Sequence, residues 1–306
     1  SMIRAGIANL PLHGGSCPKW LFPRMKQLAA AISEAIILEH GRTEFIRRIS
    51  DLYFFQSLGC VIGYDWHSSG LTTTTTAALK EGLNDKNLGI AVCGGKGRTS
   101  RKTLCEIDDS SSYFNLTTSK IQKLKYSSRM AAKADNVLLQ AGYQLYHHCF
   151  IFTEKGEWAV IQQGMNDSNN YARRYHWLSD SVSSFVNEPH SSICCDRKES
   201  NVLNMTACEA EEARKTAVDI VNDNPKHLKK HVPRAITHDL MQQEERLQLS
   251  LSDFGIGTQA EILTMPRHEP ILISDVTENV LKQLQLAYEI QPENYEELVS
   301  LRGIGA

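Results

Sequence analysis

The run from Tyr143 to Asn166, YQLYHHCFIFTEKGEWAVIQQGMN, decides the fold. Two β-rich segments flank Glu154-Lys155-Gly156-Glu157. A tight turn at Lys155-Gly156 folds them into a hairpin, because glycine supplies the positive φ that short loops need. A two-residue turn there sets His148 opposite Gln163 and Cys149 opposite Gln162. His147 and His148 are neighbours on one strand, so their side chains point to opposite faces. This register gives His148 to the face shared with Gln163 and leaves His147 a structural role. Gln162 and Gln163 end an apolar strand and need polar partners wherever they are buried.

Upstream, Met25, Leu28, Ile32 and Ile36 recur at three to four residues and predict a helix over 23–49, punctuated at Gly41. The apolar runs at 60–65 and 88–93 read as buried strands joined by a helix over about 76–82. Another helix is predicted from Lys120 to about Gly142. Beyond about residue 200 the pattern turns helical. Thr206 and Glu209 form a capping box for a helix ending near Asn222, and further helices are predicted over His238–Leu249, over Asp275–Tyr288 and after Pro292. The expected class is α+β: a mixed sheet with a hairpin in a domain over 2–200, followed by a helical C-terminal region over 201–306.

The 306 residues carry 33 Lys plus Arg against 35 Asp plus Glu, a net charge of −2, which excludes a globally basic surface for nucleic acid. The total hides a local imbalance. From Lys96 to Lys133 there are nine Lys or Arg against Glu106, Asp108 and Asp109, a balance of +6 counted from the sequence. The eight cysteines show no CxxC spacing, which fits reduced thiols and a cytoplasmic setting. No run approaches the ~18 apolar residues of a membrane span, so no membrane partner is expected.

Residues of catalytic type gather in the first two thirds. Asp65 and His67, two apart in GYDWHSSG, share a face on an extended backbone and form an acid–base or metal-ligating pair; the alternative is a turn capped by Asp65. AVCGGKGRTSRK at 91–102 is a strand followed by a glycine-rich turn with Lys96, Arg98 and Arg101, the pattern of a phosphate cradle that matches neither nucleotide-binding glycine motif. YARRYHWL at 171–178 interleaves Arg173, Arg174 and His176 with aromatics, as base stacking and phosphate holding require; ordinary cation–π packing gives the same pattern. Glu188 and His190 in NEPH add acid–base or metal groups, with His190 joining Asp65 and His67 as metal candidates. His13 is a further candidate. At 294–306, NYEELVSLRGIGA reads as the first helix and hairpin of a helix-hairpin-helix, whose Gly303 and Gly305 amides would contact a phosphate.

Taken together, LPLHGG at 10–15, GYDWHSSG, AVCGGKG, HHCFIF, IQQGMN, ARRYHWLS and NEPH are similar to domain-of-unknown-function family 763, found in archaea and some bacteria. The resemblance covers nearly the whole chain and implies a further helix beyond Gly-Ile-Gly-Ala. It supplies positions and assigns them no role.

The residues themselves predict a DNA-processing enzyme, a nuclease or other phosphodiester-acting repair protein. Lys96, Arg98, Arg101, Arg173 and Arg174 hold the backbone in this reading. Asp65, His67, His148, Gln163, His176 and Glu188 carry the chemistry, with Mg²⁺ or Mn²⁺ as an expected cofactor. Three alternatives stay open: a DNA glycosylase or lyase with Lys96 as Schiff-base amine, a non-catalytic nucleic-acid-binding module, and an enzyme acting on a small phosphorylated molecule.

Overall fold

In the computed structural model, the described residues are 4–7, 10–12, 17–196, 202–225, 227 and 278–304. The backbone divides into two compact units, residues 1–210 and 211–304. The predicted helix His238–Leu249, His13 and Gly305 lie outside the described residues.

In the first unit the stretch 23–49 forms two helices, α1 (Phe22–His40) and α2 (Arg42–Ser50). They separate at Gly41, whose φ of 85° leaves the helical region. The run at 60–65 is not a strand. It is the end of α3 (Leu52–Val61) and the turn after it, with Asp51 capping the helix by accepting from the amides of Tyr53 and Phe54. The buried residues Leu52, Phe55, Leu58 and Gly59 recur at helical spacing, a period visible only when the window opens before residue 60. Helix α4 (Ser69–Leu83) starts earlier than residue 76 and includes all five threonines; Ser68 caps it by accepting from Gly70 N at 3.1 Å. The Thr76 hydroxyl returns to Thr72 O at 2.9 Å and the Thr73 hydroxyl to Gly70 O at 3.2 Å, so two of these β-branched residues satisfy their hydroxyls within the helix.

Strand β2 (Ile90–Lys96) matches the predicted 88–93 segment and leads into a 3-10 turn over Gly97–Lys102, then α5 (Thr103–Tyr113). Helix α6 (Thr118–Lys133) stops short of Gly142: its last turn widens to a π turn over Ala134–Leu138, and β3 (Leu139–Gln140) follows. Next come β4 (Gln144–Thr153), β5 (Trp158–Asn166), β6 (Tyr171–Leu178), β7 (Ser192–Cys195) and β8 (Leu203–Asn204). With β1 (Arg4–Ile7) they build a six-stranded sheet in the order β1-β7-β6-β5-β4-β2; β3 and β8 form a separate pair. Pair β1-β7 is parallel and the other pairs of the large sheet are antiparallel, so the sheet is mixed and the class is α+β.

Helices α1 to α4 cover one face, where Met25, Phe45, Phe55 and Leu79 pack on Val92, Cys149, Ile151, Ala159 and Ile161. Helices α5 and α6 lie on the other, over Phe150, Phe152 and Trp158, with Phe114 edge-on to Phe152 at 5.8 Å. The hairpin is where the sequence places it, but its register is shifted by one. Thr153 N donates to Glu157 O and Gly156 N to Thr153 O, both at 2.9 Å, so the loop is three residues, Glu154 to Gly156, with Gly156 at φ 95°. His148 therefore faces Gln162, and Gln163 faces His147.

The second unit contains α7 (Glu211–Asn222), α8 (Glu278–Ile290) and α9 (Tyr295–Ser300), packed around Val218, Ala287 and Leu298. Asn294 caps α9 by accepting from Glu297 N at 2.9 Å. The expected Thr206–Glu209 capping box does not form: the Thr206 hydroxyl donates to Asn204 Oδ1 at 2.7 Å, and Glu188 Oε1 accepts from Cys208 N at 3.1 Å ahead of α7.

Two glycine substitutions separate strain from collision. Gly156 has open space where a Cβ would stand, so Gly156→Ala is expected to cost about 1 kcal/mol through left-handed strain alone. At Gly94, φ 86°, a Cβ would lie 2.2 Å from His148 O, and Gly94→Ala is expected to cost about 3 kcal/mol or more because a backbone atom must yield. Urea midpoints measure both; equal midpoints would contradict the difference.

Candidate functional site

Strand β2 ends in Gly94, Gly95 and Lys96 with both glycines at positive φ, and the 3-10 turn after it carries Arg98, Arg101 and Lys102. All four cations are exposed, and among the described residues none of them is in an ion pair. Two of the three acids of the +6 stretch, Glu106 and Asp108, have partners of their own. Glu106 accepts from Lys80 Nζ at 2.6 and 2.8 Å and from Gly94 N at 2.7 Å, while Asp108 takes Lys125 at 2.6 Å. Lys80 also donates to Gly94 O at 2.9 Å, so both backbone groups of Gly94 are held and the turn springs from a fixed base. A cavity of about 520 Å³ opens beside it, lined in part by Thr73, Thr76, Lys80, Gly95, Lys96 and Thr99.

Behind the turn a polar belt crosses the sheet. Lys96 Nζ stands 5.9 Å from the centroid of the Tyr146 ring, and Gln163 Nε2 donates to the Tyr146 hydroxyl. Burial raises the Tyr146 phenol above its ordinary pKa, against the lowering effect of Gln163 and Ser69. Gln163 also accepts from the Thr72 hydroxyl at 2.5 Å and donates to Ser69 O at 2.9 Å. Thr72 in turn accepts from Arg174 Nη1 at 3.1 Å; the other arms of Arg174 reach Gln56 Oε1 at 2.6 Å and His176 Nε2 at 2.8 Å. Arg174 is 0% exposed, 4.9 Å over the Phe55 ring. Burial depresses the His176 pKa well below its usual value, and the Arg174 charge adds to this. His147, 3.2 Å from the Thr76 hydroxyl, is pushed down to about 3 by burial, then by His148 and Lys96.

On the opposite face the belt is a directed chain. The Ser128 hydroxyl lies 2.8 Å from His148 Nε2, His148 Nδ1 lies 2.7 Å from Gln162 Oε1, and Gln162 Nε2 donates to Asp135 Oδ2 at 2.5 Å and to Ala131 O at 3.1 Å. Because Gln162 Oε1 only accepts, the network assigns the His148 proton to Nδ1. Burial lowers the His148 pKa too. Asp135, 0% exposed, further accepts from Trp177 Nε1 at 2.9 Å and from His190 Nε2.

The residues expected to form one centre are therefore distributed. Asp65 and His67 occupy an exposed turn between α3 and α4, where Asp65 Oδ1 accepts from His67 N at 3.3 Å. Glu188 is exposed and holds Cys208 N, whereas His190 is buried on Asp135, so Asp65, His67 and His190 do not meet as a ligand set. His148 and His176 lie on opposite faces of the sheet, and Gln163 joins His176 rather than His148. Arg173 and Arg174 are not on a nucleic-acid surface: Arg173 is buried 4.2 Å over the Tyr143 ring, and Arg174 is internal. The cation–π alternative thus describes 171–178. Gly303, at φ 83°, follows α9 and packs against Gln283. No three His, Cys, Asp or Glu side chains gather in a metal-holding arrangement among the described residues. Asp135 and Tyr146 stand in no sequence motif that marks them as site residues. The signal for Asp135 is an acid just ahead of the apolar run Val137–Leu139 in ADNVLL at 134–139, where a buried carboxyl must find donors.

A family profile described as "Protein of unknown function (DUF763)" matches residues 6–306. No curated protein and no solved structure matches the chain. No helix of the described residues is long and apolar enough to cross a membrane.

Two outcomes are expected of the belt. Asp135→Ala leaves three buried donors without an acceptor and is expected to cost about 3 kcal/mol or more in urea unfolding; a loss below about 1 kcal/mol would contradict the role. For pH, His147 titrates near 6.5 when unfolded and at about 3 when folded, so the unfolded state binds more protons between these values. The stability it contributes is intact above the unfolded pKa and falls as the pH drops, by up to about 1.4 kcal/mol per pH unit for each such histidine. Unfolding free energies from neutral to acid pH should show this slope, and His147→Gln should flatten it.

Proposed function

The chain belongs to the DUF763 family, and we propose that it is a DNA-processing protein acting on the phosphodiester backbone, which it holds on the turn Lys96–Lys102. The observation that carries this reading is the group of four exposed cations on a glycine-bearing turn, beside which Glu106 and Asp108 are committed to Lys80 and Lys125. Such a cluster repels itself unless an anion joins it, and exposed glycine-rich backbone allows close approach of phosphate. Asp65, His67 and Glu188 are the exposed acid–base groups of the chemistry-bearing set; Asp65 and His67 lie on the loop that leads into Ser69, which hydrogen-bonds Tyr146 beneath Lys96. In this reading they stand next to the bound backbone, with Mg²⁺ or Mn²⁺ neutralising charge developed on the phosphoryl oxygens. Cytoplasmic location belongs to the same proposal.

A second reading, a non-catalytic nucleic-acid-binding module, is favoured by the burial of His148 and His176, which removes two candidates from contact with a polymer. Labelled single-stranded, duplex and lesion-bearing DNA, with and without Mg²⁺ or Mn²⁺, separates the two. Cleavage lost in Asp65→Ala and His67→Ala supports the enzyme; salt-dependent binding with no cleavage in any condition supports the module.

For either reading, Arg98→Ala with Arg101→Ala is expected to weaken DNA binding about tenfold or more at low salt and to reduce the slope of log K against log salt by about 2. An unchanged slope would place the backbone elsewhere.

A further inference from the structure

A second cationic site lies at the far end of the hairpin. Between α6 and the loop Glu154 to Gly156 runs a groove of about 790 Å³, within the size class of ligand sites. Its rim carries Lys120, Lys123, Arg129 and Lys155, and among the described residues no carboxylate lines it. All four are exposed, and none is in an ion pair among the described residues. Lys120 Nζ donates to Lys155 O at 3.4 Å, drawing two like-charged residues together.

The floor is aromatic. Phe185, half-buried, stacks on Trp158 with centroids 6.1 Å apart and planes at 12°, and Tyr126 meets Phe185 edge-on at 5.6 Å. Phe185 also stacks on Trp177 at 6.0 Å, and the Trp177 indole is fixed by Asp135. The wall of rings is therefore anchored in the sheet.

We infer that this groove takes an unpaired stretch of nucleic acid, with a base against the Tyr126–Phe185 rings and its phosphates on Lys120, Lys123, Arg129 and Lys155. The inference rests on the nucleic-acid reading above and extends it from the phosphodiester backbone to the bases of an unpaired strand. Charge alone would suit any polyanion. Cations around a ring-lined cleft suit one in which each anionic unit carries a flat aromatic, because stacking accepts any base while the cations track the backbone. The two cationic sites are separated by the length of the hairpin. Lys96 pairs with His147 and the loop begins after Thr153, about 20 Å away at about 3.4 Å per residue.

The test compares the full chain with Lys120→Glu/Lys123→Glu and with Arg98→Ala/Arg101→Ala. Probes are a dT oligonucleotide, the same length of abasic strand, inorganic polyphosphate and a duplex. The groove variant alters only exposed side chains, and its unfolding curve serves as the check on folding. The expected result is a loss of about tenfold or more in dT binding by the groove variant with duplex binding retained, and weaker binding of abasic strand than of dT by the parent chain. Undiminished dT binding by the folded groove variant overturns the inference, as does abasic strand or polyphosphate binding as tightly as dT. If duplex binding still falls in the turn variant, only the groove inference has failed. If the parent chain binds none of the nucleic acids, the nucleic-acid reading itself has failed.

Discussion

The carboxyl of Asp135 is the constraint on which the first unit is arranged. It is wholly buried and accepts from Gln162 on β5, Trp177 on β6 and His190 ahead of β7, so one side chain of the α6 end joins three further segments. A buried carboxyl without donors is among the most costly groups a fold can contain, which makes these three bonds obligatory rather than decorative. The π turn over Ala134–Leu138 places Asp135 at this depth. Such widened turns recur where a helix must aim one residue that regular geometry would send elsewhere.

From Asp135 the polar belt runs back through Gln162 to His148 and Ser128, and the adjacent Gln163 serves the other face. Two consecutive glutamines thus satisfy two networks on opposite sides of one strand. The neutral His148 is consistent with this, since a buried imidazole between the Ser128 hydroxyl and Gln162 Oε1 fits the belt only in its uncharged form. The proposed function is placed outside the belt, on exposed cations whose base at Gly94 is held by Lys80 and Glu106.

The hairpin was legible because alternating and apolar β-rich runs around a Lys-Gly turn have few other solutions. Its register was not, because Gly156 serves a three-residue loop as readily as a two-residue one, and that single residue reassigns His148 from Gln163 to Gln162. The basic turn was readable from composition alone, since charge on an exposed loop needs no tertiary partner. Asp65 with His67 and the arginines of β6 were legible as residues but not as roles. Whether an arginine meets solvent or a tyrosine ring depends on which face a neighbouring helix covers, and no local pattern records that. Asp135 was missed for the same reason: its partners come from residues 162, 177 and 190, far along the chain.

The parallel pairing of β1 with β7 has a consequence in time. Residues 4–7 align with residues 192–195, so the first strand made waits for nearly the whole unit before its partner exists. The hairpin of β4 and β5 and the adjoining β6 close through short loops and suit an early nucleus, whereas the β1 edge closes the longest loop of the sheet. Until then β7 presents an open edge, and the order of assembly runs outward from the hairpin toward the strand that was synthesised first.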